Sequence, residues 1–163
     1  MTATTLDARF LFAHPAHFIA LGFGSGLAPF APGTFGTLVA IPLALLLHTY
    51  GNDAAFIAAI VAAFAIGAWS AQVTGRDLGA ADHGSIVIDE VAAFLLVLFF
   101  VGFEPLRIAL AFLLFRAFDI IKPPPIRQLD AAFKNGVGVM ADDVLAALYT
   151  LVVFALGHRL FGN

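Results

Sequence analysis

The chain has 163 residues, enough for one domain with its own core, and a formal net charge of −3. It is 61% hydrophobic and 12% charged, with a mean hydropathy of +0.98. A soluble domain carries about 25% charged residues, so this composition indicates a membrane-embedded protein. The acidic balance excludes a large basic face, and with it nucleic acid as a partner. The absence of cysteine removes a disulfide, a thiolate nucleophile and a cysteine metal site.

Residues 1–21 read as an irregular or interfacial lead-in, with Phe10, Phe12, Phe18 and Leu21 at a headgroup boundary and His14 and His17 nearby. The usual behaviour of termini favours the plainer reading, a frayed terminus followed by a surface helix. We read no signal peptide there. Residues 22–37, GFGSGLAPFAPGTFGT, hold five glycines and two prolines, a density that predicts an irregular loop. No Asp, Glu, Lys or Arg occurs in residues 10–52, so charge does not solvate this loop. From Gly33 or Thr34 onward an apolar run, LVAIPLALLL, looks helical. A glycine-rich turn feeding a helix start offers free N–H groups and the positive dipole end to an anion. Ser25, Thr34 and Thr37 add hydroxyls. Taken alone the pattern is also that of a turn and a helix cap, and it is neither GxGxxG nor a Walker A loop.

Residues 54–75 carry no charged side chain over 22 positions, against about 20 needed to span a bilayer. Trp69 falls near one end, where aromatic side chains favour the interface. A polar loop, RDLGAADHGSIVIDE, then ends in Asp89-Glu90, and the apolar run VAAFLLVLFFVGF follows at once. Acids in a first turn suit the helix dipole; at the edge of a membrane helix they face a polar cavity. Asp82 and His83 precede them, His83 reading as a loop histidine. Glu104-Pro105 breaks the chain before a short apolar helix over 106–118. Arg116 and Asp119, three apart, share one helical face, as a simple ion pair would. Lys122 follows, and Pro123-Pro124-Pro125 ends the helix. Residues 126–138 read as an amphipathic link with Asp130 and Lys134 as surface charges and a flexible turn at Asn135-Gly136-Val-Gly138. Asp142-Asp143 then opens a last apolar run that ends at His158-Arg159.

Five apolar segments, 36–48, 54–75, 88–103, 106–118 and 144–158, predict an all-α, multi-pass membrane protein of about four to five helices in a single domain over 1–163. The first and fourth, about 13 residues each, are short for full spans. If each segment crosses, the polar blocks all fall on one side. Six of the eight basic residues, Arg9, Arg76, Arg116, Lys122, Arg127 and Lys134, fall there too, which makes that face cytoplasmic. The stretch 115–143 alone holds eight of the nineteen charged residues. Asp89, Glu90, Asp119, Asp142 and Asp143 are hard oxygen ligands of the kind Mg²⁺ takes together with phosphate oxygens. Arg116 and Lys122 suit phosphate, as a fork and as a point charge. These are the parts of a metal-assisted phosphoryl site acting on a lipid phosphate.

Four blocks, GFGSGLAPFAPGTFGT, DHGSIVIDE, FRAFDIIKPPPI and GVGVMADD, resemble in order and spacing the signature blocks of the phosphatidylglycerophosphatase A family. The resemblance covers about Phe18 to His158. One departure is Gly136-Val-Gly138, where a Gly-Gly pair is expected. The resemblance implies a bacterial enzyme of the inner membrane, with its active site facing the cytoplasm. Such an enzyme hydrolyses phosphatidylglycerophosphate to phosphatidylglycerol and inorganic phosphate and requires Mg²⁺. It further implies that Asp89, Glu90, Asp119 and Asp143 include the catalytic acids, and that Asp89, Glu90, Asp142 and Asp143 include the metal ligands. Ser25, Thr34, Arg116 and Lys122 match polar positions and are the expected phosphate contacts. Base and ligand are not separated within the carboxylate set. Three rival readings are a membrane transporter, another lipid-headgroup enzyme and a purely structural membrane subunit, for which four polar blocks at one mouth would be wasteful of stability. Transport sites lie near the midplane between repeated halves, whereas these charges crowd one face and no repeat is present.

Overall fold

A helix that is apolar all round must be enclosed by other helices, and the run after Glu90 is such a segment. The computed structural model describes residues 6–161, apart from the side chains of Asp130 and Phe161. Residues 1–5 of the lead-in and the surface charge expected at Asp130 lie outside what is described. In chain order the helices are α1 (Ala8–Ala13), α2 (Pro15–Ala20), α3 (Pro32–Tyr50), α4 (Asp53–Leu78), α5 (Ile88–Val101), α6 (Pro105–Ile121), α7 (Ile126–Ala132) and α8 (Gly136–Phe161), with a 3-10 turn over Gly22–Leu27. No strand occurs among the described residues.

α5 is the central helix and packs against α3, α4, α6 and α8. Val91, Ala92, Ala93, Phe94, Val97 and Leu98 on it are all buried. Phe94 meets Phe112 and Phe115 of α6 with ring centroids 6.1 and 5.5 Å apart. The outer helices turn apolar side chains outward, among them Leu46, Val61, Leu113 and Leu156. Such a surface aggregates in water and is solvated by lipid. α3, α4 and α8 are each long and apolar enough to cross a membrane.

The segment lengths differ from expectation in an informative way. The first segment is a 19-residue helix because it starts at Pro32 rather than near residue 36. Proline in a first turn loses no hydrogen bond, so the density of glycine and proline over 22–37 does not keep its second half irregular. The fourth segment grows to 17 residues as α6. The shortest apolar helix is α5, with 14 residues or about 21 Å against a hydrocarbon core of about 30 Å. α5 tolerates this because protein rather than lipid surrounds it.

Asn135-Gly136-Val-Gly138 is not a flexible turn but the start of α8. The Asn135 side chain accepts the Gly138 N–H and the Gln72 side chain of α4 accepts the Gly136 N–H, each at 2.9 Å. A Cβ at Gly136 would collide with the Ala68 carbonyl, so glycine lets α8 press onto α4. The acids Asp142 and Asp143 therefore sit in the second turn of a helix, not at its opening. The lead-in is also more ordered than expected. His17 is buried and joins the Phe10 carbonyl (2.9 Å) to the Asp77 carboxylate (2.8 Å), and Leu21 is fully buried. At the end of α6, Lys122 takes a left-handed conformation (φ 46°) before the prolines. The Tyr149 hydroxyl of α8 donates to the Pro124 carbonyl at 2.7 Å and holds that segment down.

Because Phe94 is fully enclosed, Phe94→Ala is expected to cost about 3–5 kcal/mol of stability. Thermal unfolding in detergent would show it, and Phe100→Ala, at a site 66% exposed, is expected to change little by the same measurement.

Candidate active site

Three helix ends converge to build the site. The first turn of α5 supplies Asp89 and Glu90, the second turn of α8 supplies Asp142 and Asp143, and the last turns of α6 supply Arg116 and Asp119, with Lys122 just beyond. Oxygens of Asp89, Glu90 and Asp143 lie within 4.8 Å of one another. Asp89 is 8% exposed and Asp143 3%. Asp89 Oδ1, Glu90 Oε2 and Asp143 Oδ2 are buried and accept no hydrogen bond. Buried acceptors in folded proteins are almost always satisfied, and a buried, uncompensated carboxylate is costly. Asp89, Glu90 and Asp143 each offer a carboxylate oxygen to one point, and together they could hold a hard cation.

The two bases neutralise the rim of this cluster. Arg116 reaches Glu90 Oε1 at 3.2 Å and Asp119 Oδ2 at 2.6 Å through the same terminal nitrogen. Asp119 lies near enough to Asp143 for the two carboxyls to repel. Lys122 Nζ pairs with Asp142 Oδ2. Among the described residues, Arg116 pairs with Glu90 and Asp119, and Lys122 with Asp142.

All of the expected acids and both expected bases meet at one end of the bundle. The glycine-rich block contributes differently from expectation. A Cβ at Gly33 would collide with Glu90 Oε1 and lie 3.0 Å from both terminal nitrogens of Arg116, so bare α3 backbone closes one wall of the site. Thr34 follows in the first turn of α3, half-buried. Ser25 lies in the 3-10 turn and donates to the Gly22 carbonyl at 2.8 Å. Thr37 is not a site hydroxyl: it donates to the Gly33 carbonyl of its own helix at 2.9 Å. Asp82 is exposed, and His83 accepts the Ser85 N–H at 3.2 Å within its loop. Sequence reasoning missed the contact of Gly33 with Glu90 and Arg116 and the pairing of Lys122 with Asp142. The partners are 57, 83 and 20 residues apart, and no local pattern marks pairs across such separations.

The fold and this cluster together define a helical protein of the membrane type with a carboxylate site at one end. Its sequence matches the family model Phosphatidylglycerophosphatase A over residues 18–158. The chain is 44% identical to phosphatidylglycerophosphatase A of Haemophilus influenzae, covering 89% of this chain and 90% of that protein. It is 35% identical to phosphatidylglycerophosphatase A of Escherichia coli, covering 93% and 89%. It is also 38% identical to a Bacteroides thetaiotaomicron protein named "Putative phosphatidylinositol-3-phosphatase", covering 88% and 94%. No solved structure matches. The chain belongs to the phosphatidylglycerophosphatase A family and is, as such, a phosphoric monoester hydrolase of lipid metabolism.

Two substitutions test how the site is walled and held. Gly33→Val must displace Glu90 or Arg116 and is expected to lower phosphate release by about 10–100-fold, the usual effect of disturbing a group that orients a site. Arg116→Lys replaces a planar fork that spans Glu90 and Asp119 with a point charge. It is expected to lower turnover by about tenfold or more while thermal unfolding stays near that of the parent chain.

Proposed function

We propose that this chain removes the terminal phosphate of phosphatidylglycerophosphate at the membrane surface, giving phosphatidylglycerol and inorganic phosphate, with Mg²⁺ bound at Asp89, Glu90 and Asp143. The observation that carries the reading is the set of three buried carboxylate oxygens without partners, set beside Arg116 and Lys122. The family and the names of the Haemophilus and Escherichia relatives support the substrate. Asp142, adjacent to Asp143 and held by Lys122, completes the acidic wall.

When bound, Mg²⁺ supplies Lewis-acid polarisation of the phosphate and offsets its charge. The chain's own residues do the remainder. The Nε of Arg116 is buried and has no partner among the described residues, so it is the donor available to an equatorial phosphate oxygen. Lys122, and the hydroxyl of Thr34 next to Gly33 in the first turn of α3, steady the phosphate; Ser25, whose hydroxyl donates to the Gly22 carbonyl, is not assigned to it. Asp119, fixed by Arg116, orients the attacking water and takes its proton. Water adds to phosphorus in line, the ester P–O bond breaks with its electron pair going to the lipid oxygen, and the proton that Asp119 took from the water is passed on to that oxygen, so the lipid leaves as an alcohol and Asp119 returns to a carboxylate. The tails stay in the bilayer throughout. Six of the eight basic residues belong to this end of the chain's topology, which supports a cytoplasmic active site in the bacterial inner membrane. The crowding of charge at one end of the bundle favours hydrolysis at an interface over transport through a midplane site.

The test is phosphate release by purified protein in detergent, with Mg²⁺ or with EDTA, beside Asp89→Asn and Asp143→Asn. Release is expected to require Mg²⁺ and to fall at least about 100-fold in both variants. Phosphatidylinositol 3-phosphate and phosphatidate run as second substrates. Faster release from either of them would overturn the assignment of headgroup, and no release from folded protein would overturn hydrolysis itself.

A further inference from the structure

The end of the bundle opposite the carboxylates holds a second charged feature. There α5, α6 and α8 leave a groove of about 870 Å³. Its walls include Phe100, Leu110, Leu114, Leu151 and Phe154, and Arg107 and His158 line it as well. Arg107 lies two residues inside the start of α6, and His158 lies in the last turn of α8. Both therefore stand at the end of the groove, and Arg159 follows His158. From Arg107 to Leu114, and from His158 back to Leu148, the lining runs about 10–15 Å into the bundle at 1.5 Å per residue. The nearest acid in sequence is Glu104, whose carboxylate is occupied as the cap of α6, accepting the Arg107 backbone N–H at 2.9 Å. The Arg107 side chain forms no ion pair among the described residues.

We infer that this groove binds an anionic glycerophospholipid from the leaflet opposite the active site, with its phosphate on Arg107 and His158 and one acyl chain along α5, α6 and α8. The match is one of charge and of depth: a cationic mouth at the headgroup level opens onto a purely apolar channel. Arginine at a membrane boundary attracts anionic headgroups, and its fork suits a phosphate diester. A second copy of the chain fits less well. A two-fold contact here would bring Arg107 of both copies to one mouth, placing like charges together.

Native mass spectrometry of the purified full chain in neutral detergent tests this, with dioleoyl phosphatidylglycerol and dioleoyl phosphatidylcholine supplied in equal amounts. The parent chain is expected to retain phosphatidylglycerol over phosphatidylcholine by about fivefold, the factor one basic residue confers at an anionic membrane surface. Arg107→Gln is expected to remove the preference, Arg107→Lys to keep most of it, and Ala155→Trp, which fills the groove, to lose both lipids. Helical content by circular dichroism checks that each variant is folded. Should Arg107→Gln not fold, Arg107→Lys and Ala155→Trp still decide. Equal retention of both lipids by the parent chain, or an unchanged preference in Arg107→Gln, would overturn the inference. So would a dimer that Ala155→Trp separates. None of these readouts depends on hydrolysis, so the inference and the proposed reaction fail separately.

Discussion

Negative charge held inside an apolar bundle is the constraint on which the other features depend. Taking a carboxylate out of water costs several kcal/mol even after the protein relaxes around it, and Asp89 and Asp143 are both enclosed. Three features answer that cost. Asp89 and Glu90 stand in the first turn of α5, where the helix dipole is positive. Arg116 spans Glu90 and Asp119, and Lys122 holds Asp142. Carboxylate oxygens of Asp89, Glu90 and Asp143 still lie within 4.8 Å of one another, a spacing that a divalent cation could satisfy.

The architecture follows from placing this cluster at an interface. A short α5 is wrapped by longer helices, and its first turn meets α3, α6 and α8 at the carboxylate cluster. Gly33 allows the α3 wall to close directly on Glu90 and Arg116, and Gly136 allows α8 to lie against α4 so that Asp143 faces α5. Left-handed Lys122 stops α6 one residue before the prolines and leaves its ammonium beside Asp142. Such conformations of a non-glycine residue cost about 1 kcal/mol or more, and here the cost falls at a site residue. The Tyr149–Pro124 hydrogen bond anchors the chain just past that point.

A phosphatase that works on a bilayer lipid needs its polar chemistry at the headgroup level and its apolar surface in contact with chains. The bundle separates these along its length: acids and bases converge at one end, while Leu46, Val61 and Leu156 face outward between the ends. The relatives named for different phospholipid monoesters share this chain's length almost fully.

Much of this was legible in the residues alone. Composition and the uncharged run over 54–75 determined a helical membrane protein, because bilayer thickness translates directly into residue count. The alternation of apolar runs with polar blocks determined that Asp89, Glu90, Arg116, Asp119, Lys122, Asp142 and Asp143 lie at one end, because consecutive crossings reverse direction. Helix limits were less legible: Pro32 and Gly136 read as loop residues, yet each starts a helix, since proline is harmless in a first turn and glycine admits a neighbouring backbone. The tertiary structure decided which acids share a cluster, which base holds which acid, and that the glycine-rich block closes the site with backbone. Those outcomes depend on contacts between helices tens of residues apart, and the rotation of one helix about its axis against another is fixed by packing, not by any local run of sequence.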